Sequence, residues 1–286
     1  MRILFVGKTS FVGQTVAAYF LKMDPEVQVD SISVRGEDWR QQDFSHYDTV
    51  VFTAALVHRP DITDPKEYEK INTILPYEFA CYVKAQGVKR FVYLSTVSVY
   101  QAGRSLPKAF VIDGSTPLKP SSVYGQSKLA GEERLRTLEG EDFRVSVIRS
   151  TYVYGKDCRG HHIATQCRLT KLLLLMPKAF KDVPMGMVYC DNLAHLCWLI
   201  VNSDCSGTYM AQDKDPLSTY QIMRIIAREK GLKRPSVPCT GLFRLFSRLG
   251  PMRRIYGGVV YSEELSACPL GEYRLVSPEE GIKRSI

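Results

Sequence analysis

Two residues that could move a proton, Tyr124 and Lys128, lie four positions apart in the sequence. On a helix this spacing places both side chains on one face. A tyrosine hydroxyl has an unperturbed pKa of about 10 and is a poor acid or base at neutral pH, but a nearby ammonium group stabilises its phenolate form. Because a Tyr-x-x-x-Lys pair also occurs by chance on helix surfaces, it indicates catalysis only where other matching features accompany it.

Hydroxyl groups end a predicted strand upstream of this pair. Residues 91–100 read FVYLSTVSVY, and Thr96 follows the apolar part of the run. Its hydroxyl could hydrogen-bond a substrate oxygen beside Tyr124. Together, Thr96, Tyr124 and Lys128 would suit acid–base chemistry at an alcohol or a ketone.

A glycine turn near the start of the chain predicts a dinucleotide site. Residues 7–13 read GKTSFVG, directly after an apolar run and before a segment with helical spacing. The first glycine permits a tight turn, the small Ser10 lets the backbone approach a pyrophosphate, and the last glycine allows close helix–strand packing. An ordinary strand–helix turn is the alternative, but the position after the first strand favours a cofactor. The residues expected to contact it here are Gly7, Ser10, Phe11, Val12 and Gly13.

The end of the second predicted strand bears on the choice of cofactor. An acidic residue there binds the ribose 2′-hydroxyl, whereas an arginine can accept a 2′-phosphate. Ser33 and Arg35 occupy these positions, while Glu37 and Asp38 come slightly later. Arg35 favours NADP, with NAD as the alternative if Arg35 is merely solvated.

These residues must be positioned by alternating strands and helices. The predicted elements are strand 2–6, helix 14–21, strands 27–34 and 49–53, helix 68–86, strand 90–94, helix 122–138 and strand 144–148. This order predicts an α/β fold, a doubly wound (Rossmann) parallel sheet that binds ligands at its carboxyl edge.

Beyond residue 150, prolines divide the chain into shorter elements, among them a strand at 207–211 and a helix at 219–230. We predict a dinucleotide-binding domain at 1–155, to which part of 188–220 returns, and a smaller C-terminal substrate-binding cap formed mainly by 156–286.

The composition is that of a globular protein, with 45% hydrophobic and 24% charged residues and a net charge of +8. A basic balance suits nucleic acid, anionic lipid or an anionic small substrate. We expect no nucleic-acid partner, because no binding motif or Lys/Arg-rich run is present. We also expect no membrane-spanning segment, because no run of about 18 apolar residues occurs.

The cysteine and histidine pattern bears on compartment and metal binding. None of the eight cysteines forms a CxxC pair, which predicts buried free thiols in a reducing, cytoplasmic setting. The pair His161-His162 has no third ligand at suitable spacing, so we predict a loop there and no metal site.

With these motifs in place, the sequence resembles the extended short-chain dehydrogenase/reductases, the nucleotide-sugar epimerase/dehydratase family. The matching features run nearly the length of the chain: Gly7 to Gly13, Asp43-Phe44, Thr53-Ala54-Ala55, Asn72, and the segments 94–100, 124–128, 149–155 and 187–193. The resemblance implies an NAD(P)-dependent enzyme that acts on a nucleotide sugar, and a homodimer is expected because relatives often dimerise.

The resemblance also implies roles for individual residues. Tyr124 would be the acid–base group, Lys128 would bind the nicotinamide ribose and poise Tyr124, and Thr96 would hold the reacting hydroxyl or carbonyl. The other cofactor contacts would come from Asp43 and Phe44, flanking the adenine, and from Thr53, Ala54 and Ala55.

The sequence departs from the family pattern where relatives bind the sugar-nucleotide phosphates. Many carry an arginine shortly before the position of Asp191, and here Met185 lies near that place. We expect the substrate to be bound instead by residues from the set Ser98, Arg159, Lys181, Arg253 and Arg254.

The residues after Thr96 narrow the reaction. Dehydratases of the family carry Asp-Glu there and decarboxylating relatives a glutamate, whereas this chain has Val97 and Ser98. Neither is a general acid or base at neutral pH. Reduction of a 4-keto sugar nucleotide remains, favoured by Arg35. The alternatives are a 4-epimerase similar to UDP-glucose 4-epimerase, with tightly bound NAD, and a non-catalytic cofactor-binding module.

A basic amphipathic segment lies late in the chain. Residues 241–249 read GLFRLFSRL and are followed by Arg253-Arg254. Such a segment could lie on an anionic membrane or dock a partner. The simpler interpretation is a helix of the cap whose apolar face packs into the core.

Overall fold

Strands and helices alternate along the chain, as the apolar pattern predicts. The computed structural model describes residues 1–57, 62, 64–158 and 161–286. Its strands are β1 (Arg2–Val6), β2 (Gln28–Ile32), β3 (Thr49–Phe52), β4 (Arg90–Thr96), β5 (Phe110–Ile112), β6 (Arg144–Ser150), β7 (Tyr152–Tyr154), β8 (Met176–Lys178), β9 (Met187–Tyr189), β10 (Gly207–Ala211), β11 (Ser236–Pro238) and β12 (Val259–Tyr261).

The helices connect and cover these strands. They are α1 (Phe11–Met23), α2 (Pro65–Glu69), α3 (Leu75–Ala85), α4 (Val123–Arg136), α5 (His161–Leu172), α6 (Cys190–Val201), α7 (Thr219–Glu229), α8 (Thr240–Leu245), α9 (Gly250–Tyr256), α10 (Glu263–Ser266) and α11 (Pro278–Ser285). A π-helical segment, Lys70–Ile74, joins α2 to α3, and a 3-10 turn, Val97–Val99, follows β4.

The central sheet has six parallel strands in the order β10-β6-β4-β3-β1-β2. The strand order reverses at β1, between β3 and β2, which is where doubly wound sheets open a crevice for a ligand. All six carboxyl ends lie at one edge because the strands are parallel. The predicted Rossmann fold is therefore confirmed, including the late strand at 207–211.

The two faces of the sheet bury alternate residues of each strand. On one face, Ile3 and Phe5 of β1 pack with α1 and α6. On the other, Leu4 and Val6 pack with side chains of α3 and α4. Helices on both faces bury the central strands β1 and β3 almost completely, which explains why their sequences read as continuous apolar runs, whereas the edge strand β2 stays largely exposed.

The remaining strands form three two-stranded parallel pairs, β7–β9, β8–β11 and β5–β12. The last pair joins residues on both sides of position 155, and α6 and β10 return to the central layers. The division into a dinucleotide-binding domain and a cap at that position stays a prediction.

The thiols are less buried than predicted. All eight cysteines are free, but only Cys190 and Cys197 are buried and Cys205 is exposed. Short apolar stretches around a cysteine do not fix which face of an element it occupies. In the part of the chain that the structure describes, no helix is long and apolar enough to cross a membrane.

Candidate active site

Tyr124 lies in the first turn of α4, beside the carboxyl end of β4. The helix begins after Ser122, whose Oγ accepts a hydrogen bond from Gly125 N at 3.1 Å. Burial raises the pKa of Tyr124 to about 12, while a side-chain hydrogen bond with Thr96 lowers it and neighbouring Tyr68 raises it. The structure thus brings together the predicted pair of Thr96 and Tyr124, with the phenol protonated at neutral pH.

A close backbone approach holds α4 against this strand end. A Cβ atom built at Gly125 would overlap the carbonyl oxygen of Ser98 and lie 2.9 Å from Cβ of Pro120. Ser98 N in turn donates to Thr96 Oγ1 at 3.2 Å. The glycine next to Tyr124 therefore sets the spacing between Tyr124 and the 3-10 turn that carries Ser98.

We predict that Gly125→Ala moves α4, which carries Tyr124, away from the 3-10 turn that carries Ser98. The added methyl group must push α4 away from Ser98, at a cost of about 1–3 kcal/mol in unfolding free energy. Turnover should fall by more than about tenfold, because small displacements of catalytic groups have large effects. Denaturant unfolding and steady-state kinetics measure both. Gly140→Ala is the matched control, since a Cβ atom there meets nothing within 4 Å. Equal behaviour of the two variants would contradict this account.

Lys128 lies one turn further along α4 and is only 1% exposed. Its Nζ atom is 3.8 Å from the centroid of the Tyr93 ring, a cation–π contact. Burial lowers the pKa of Lys128 to about 7, and the carboxylate of Glu132 works against this shift. The contact that the structure shows for the ammonium group is therefore with Tyr93, and the role of Lys128 towards Tyr124 stays a prediction.

A buried asparagine joins α4 to the rest of the site. Asn72, in the π-helical segment, donates from Nδ2 to Leu56 O at 2.9 Å and to Ser127 Oγ at 3.0 Å. The backbone carbonyl oxygen of Asn72 accepts a hydrogen bond from the Tyr93 hydroxyl at 2.7 Å. π-helical turns recur at functional sites. Through Asn72, this one links Ser127, the residue before Lys128, to Tyr93, whose ring contacts the Lys128 ammonium group. The sequence marked Asn72 only as a matching feature, without a role.

A buried ion pair behind Lys128 was not predicted. Arg149 Nη2 lies 2.6 Å from Glu132 Oε2, and both side chains are almost fully buried. Arg149 Nη1 also donates to the Tyr100 hydroxyl at 2.9 Å. Glu132 follows Lys128 by four residues and so shares its helix face. The four-residue spacing from Lys128 was the signal in the sequence that could have pointed to Glu132. The partner of Glu132, Arg149, lies on a different element, β6.

The glycine turn closes around Thr53. Gly7 has a φ of +118°, and a Cβ atom there would lie 2.9 Å from Thr53 Oγ1. A Cβ atom at Gly13 would lie 2.6 Å from the same oxygen. Ser10 caps α1 by accepting from Gly13 N at 3.2 Å. Phe11 and Val12 form the first turn of α1.

This cradle fits a dinucleotide pyrophosphate. The turn has room only for glycine at both ends, and it presents the amino end of a 13-residue helix at the point where the strand order reverses. Backbone N–H groups and the helix dipole at such an end favour phosphate oxygens. A pyrophosphate at this turn stays the prediction from the sequence, and the geometry of the turn has the form that such a group requires.

Arg35 lies over the glycine turn. Its Nη2 atom donates to Thr9 Oγ1 at 3.4 Å, and its backbone N–H donates to Ser33 Oγ at 3.3 Å. The acid that follows it in sequence, Glu37, pairs with Arg40 instead. An exposed guanidinium with neighbouring hydroxyls is an arrangement that could accept a 2′-phosphate.

The structure places the two residues expected to flank the adenine in different environments. Asp43 is exposed, and hydrogen bonds from Ser45 lower the pKa of its carboxyl. Phe44 is 1% exposed, with its ring centroid 5.4 Å from that of Phe79 in the core. A ring so deeply buried has almost no surface for adenine, so Phe44 could serve there only through its backbone. Along the cofactor edge, Ala54 is half-buried, Ala55 is exposed and Thr53 is 7% exposed.

The expected substrate-binding residues are dispersed. Ser98 lies at the site, with its Oγ 3.3 Å from Thr96 Oγ1. Lys181 lies 3.6 Å from Asp182 and lines a cavity of about 740 Å³ beside α7. None of the residues lining that cavity is Thr96, Tyr124 or Lys128.

Of the other residues expected to bind the phosphates, two lie on α9 and one lies outside the described part of the chain. Arg253 and Arg254 are exposed on α9, and Arg253 Nε donates to Ser247 O at 3.3 Å. Arg159 lies outside the described residues. Met185, at the place of the family arginine, is 1% exposed in the core.

The histidine pair begins a helix rather than lying in a loop. α5 starts at His161, which corrects the loop expectation. Burial lowers the pKa of His162 to about 4. The helix continues to Leu172, so the pair begins a regular element of 12 residues.

Comparisons with known proteins agree with this geometry. A model of the NAD dependent epimerase/dehydratase family matches residues 3–204. The N-acetyl-alpha-D-glucosaminyl-diphospho-ditrans,octacis-undecaprenol 4-epimerase of Escherichia coli O157:H7 is 25% identical over 252 residues, covering 82% of this chain and 74% of the relative.

Two solved structures share the fold over nearly the whole chain. A dTDP-4-dehydrorhamnose reductase from Bacillus anthracis in complex with NADP has a TM-score of 0.73 at 20% identity, covering 99% of this chain and 96% of that one. A UDP-glucuronic acid 4-epimerase from Bacillus cereus in complex with NAD has a TM-score of 0.75 at 16% identity, covering 100% and 95%.

Proposed function

Because the chain belongs to the NAD dependent epimerase/dehydratase family, we propose that it is an oxidoreductase that reduces a 4-keto nucleotide sugar with NADPH. The family contains NAD(P)-dependent nucleotide-sugar epimerases, dehydratases and reductases, so the protein is an NAD(P)-dependent enzyme. The pairing of Tyr124 with Thr96, without an acid in the two positions after Thr96, argues against a dehydratase. The observation that carries the choice of a reductase over an epimerase is the position of Arg35 beside the glycine turn, where it favours NADPH.

The residues of the site act on the sugar oxygen. Thr96 holds the carbonyl oxygen by a hydrogen bond, and Tyr124 donates its proton to that oxygen as the carbonyl becomes an alcohol. Lys128 binds the nicotinamide ribose and steadies the phenolate that remains. When bound, the reduced nicotinamide supplies the hydride that the carbonyl carbon receives.

Elimination of water would need an additional acid–base pair. Val97 is 8% exposed and apolar, and Ser98 offers only a hydroxyl. A pKa of Tyr124 raised to about 12 by burial also suits proton donation, which starts from the neutral phenol. These features support reduction rather than dehydration.

We predict that Arg35→Ala selectively weakens NADPH binding. Loss of a charge-assisted contact to the 2′-phosphate should lower NADPH affinity by about tenfold, while NADH affinity stays the same. Calorimetry with both cofactors measures this, and Lys22→Ala, an exposed cation at the far end of α1, is the control. A preference of the wild-type protein for NADH would reverse the proposal and favour the epimerase.

The leading alternative is 4-epimerisation with tightly bound NAD. The name of the E. coli relative, a 4-epimerase, supports it. Purified protein should be tested with UDP- and dTDP-linked sugars, once with added NADPH and once without any cofactor. Oxidation of NADPH by a 4-keto substrate supports the reductase, and interconversion of 4-epimers without added cofactor supports the epimerase. Cofactor binding without either activity across the panel would favour the non-catalytic binding module.

Two further parts of the proposal concern setting and assembly. The eight free cysteines support a reducing compartment, and we propose the cytoplasm. A homodimer is proposed from the family resemblance, and light scattering of the purified protein tests it.

A second candidate substrate is a sugar diphosphate joined to a polyprenyl lipid, as in the name of the E. coli relative.

A further inference from the structure

An apolar and basic surface surrounds α8, and we propose that it docks the protein on an anionic lipid bilayer. We call it the α8 surface and define it by its apolar residues Leu242, Leu245, Phe246 and Leu249 together with Arg244 and Arg248. This inference is independent of which reaction the enzyme carries out.

The apolar residues of the α8 surface point away from the core. Leu245 is 79% exposed, Leu242 58%, Leu249 53% and Phe246 46%, and α8 has no buried residue. Phe243 is the inward residue, with its ring centroid 5.6 Å from that of Tyr256. The expectation of a cap helix with its apolar face in the core was therefore wrong for this segment.

A second exposed apolar group lies at the other end of the neighbouring strand pair. Leu172, Leu174 and Leu175 are 78%, 76% and 53% exposed at the end of α5. They precede β8, which pairs with β11, and α8 begins two residues after β11 ends. Val237, in the middle of β11, is 41% exposed. Exposed apolar side chains therefore lie at both ends of the β8–β11 pair, and an accumulation of such side chains is typical of an interaction site.

The charge around these groups identifies the occupant as anionic. Residues 230–256 contain seven lysines and arginines and no aspartate or glutamate. Residues 158–181, which lead into β8, also lack acidic side chains. Arg244 on α8 and Arg248 in the turn that follows it are interspersed with the exposed leucines, and cations beside exposed apolar side chains suit an anionic membrane interface.

The same charge disfavours a second copy of this chain as the occupant. A two-fold contact would place the arginines of one copy near those of the other, because such an interface uses the same patch twice. An anionic bilayer instead attracts each cation and receives the leucines below its headgroups. The two contributions together give reversible attachment, for which either alone is marginal.

Vesicle flotation tests the proposal with the full-length protein. Wild-type protein should float with vesicles of phosphatidylcholine containing phosphatidylglycerol, and should remain unbound with phosphatidylcholine alone. Leu245→Glu should lower binding to the anionic vesicles by about tenfold or more, because it removes an inserted side chain. Leu275→Glu, which alters a leucine 60% exposed elsewhere, is the matched control and should bind as the wild type does.

Charge reversal tests the electrostatic part. Each cation near an anionic surface contributes about fivefold in binding, so Arg244→Glu with Arg248→Glu should lower binding by at least about 25-fold, because reversal adds repulsion to the loss of two attractions. Lys22→Glu, on α1, should have little effect. Thermal unfolding checks that the variants remain folded, and turnover of a water-soluble nucleotide sugar should be unchanged in Leu245→Glu, which separates this inference from the proposed reaction.

Three results would overturn the proposal. The first is failure of the wild-type protein to bind anionic vesicles at low salt. The second is equal binding to neutral and anionic vesicles that charge reversal leaves unchanged. The third is concentration-dependent self-association that Leu245→Glu abolishes in the absence of vesicle binding, because it would assign the α8 surface to a second copy of the chain.

Discussion

Tyr124→Phe should lower turnover by about 10²–10⁴-fold, the usual scale for losing a positioned acid–base group. The substitution keeps the ring and its packing but removes the proton that the sugar oxygen receives. The hydrogen bond with Thr96 is lost at the same time. Cofactor affinity should change little, because the glycine turn and the end of β2 bind the other half of the dinucleotide.

Steady-state kinetics and calorimetry on the same preparation separate these effects. Tyr77→Phe, at a half-buried tyrosine on α3, is the control for removal of a hydroxyl and should keep full activity. Lys128→Met should be worse than Tyr124→Phe, since it should weaken cofactor binding as well as turnover. Full activity of Tyr124→Phe in an assay that the wild-type protein passes would refute the assigned role.

Gly13→Ala should lower affinity for the dinucleotide by about 10- to 100-fold. Its Cβ atom would lie 2.6 Å from Thr53 Oγ1, so either the amino end of α1 or the Thr53 side chain must move. Overpacking of this kind costs about 1–3 kcal/mol. A displaced helix end no longer presents its N–H groups to the pyrophosphate.

The double variant Gly13→Ala with Thr53→Ala identifies the cause. Removing the Thr53 hydroxyl gives the new methyl group room, so cofactor affinity should recover most of the loss. Thr53→Ala alone is the control for the lost hydrogen bond to Val6 O, which is 3.1 Å long. Calorimetry measures all three proteins. Persistence of the defect in the double variant would mean that the glycine is required for another reason.

The sequence predicted the sheet well because its strands are short apolar runs punctuated by glycine. The run ending at Gly7 is β1, and the strand predicted at 207–211 is β10 with the same bounds. The carboxyl-edge placement of Thr96 and Thr53 followed from parallel strands alone. Helical spacing placed Tyr124 and Lys128 on one helix, α4, as the structure has them, while their joint role stays a prediction.

Features that depend on distant partners could not be predicted. The ion pair of Glu132 with Arg149 joins α4 to β6, and nothing near Glu132 in sequence names its partner. The helix predicted at 68–86 contains a π-helical segment at Asn72. The backbone carbonyl of Asn72 accepts a hydrogen bond from Tyr93 on β4, which is distant in sequence. Periodicity marked residues 241–249 as amphipathic, but periodicity does not tell whether an apolar face meets the core or the solvent.

Transfer of deuterium from NADPH that carries deuterium at both hydrogen positions of nicotinamide C4 tests the central claim most directly. Wild-type protein mixed with a 4-keto nucleotide sugar should give an alcohol that carries one deuterium at the former carbonyl carbon, with one NADPH consumed for each product formed, as read by mass spectrometry and absorbance. Tyr124→Phe should form the same product far more slowly. Formation of a product without deuterium, or at the same rate in Tyr124→Phe, would contradict hydride transfer directed by Tyr124.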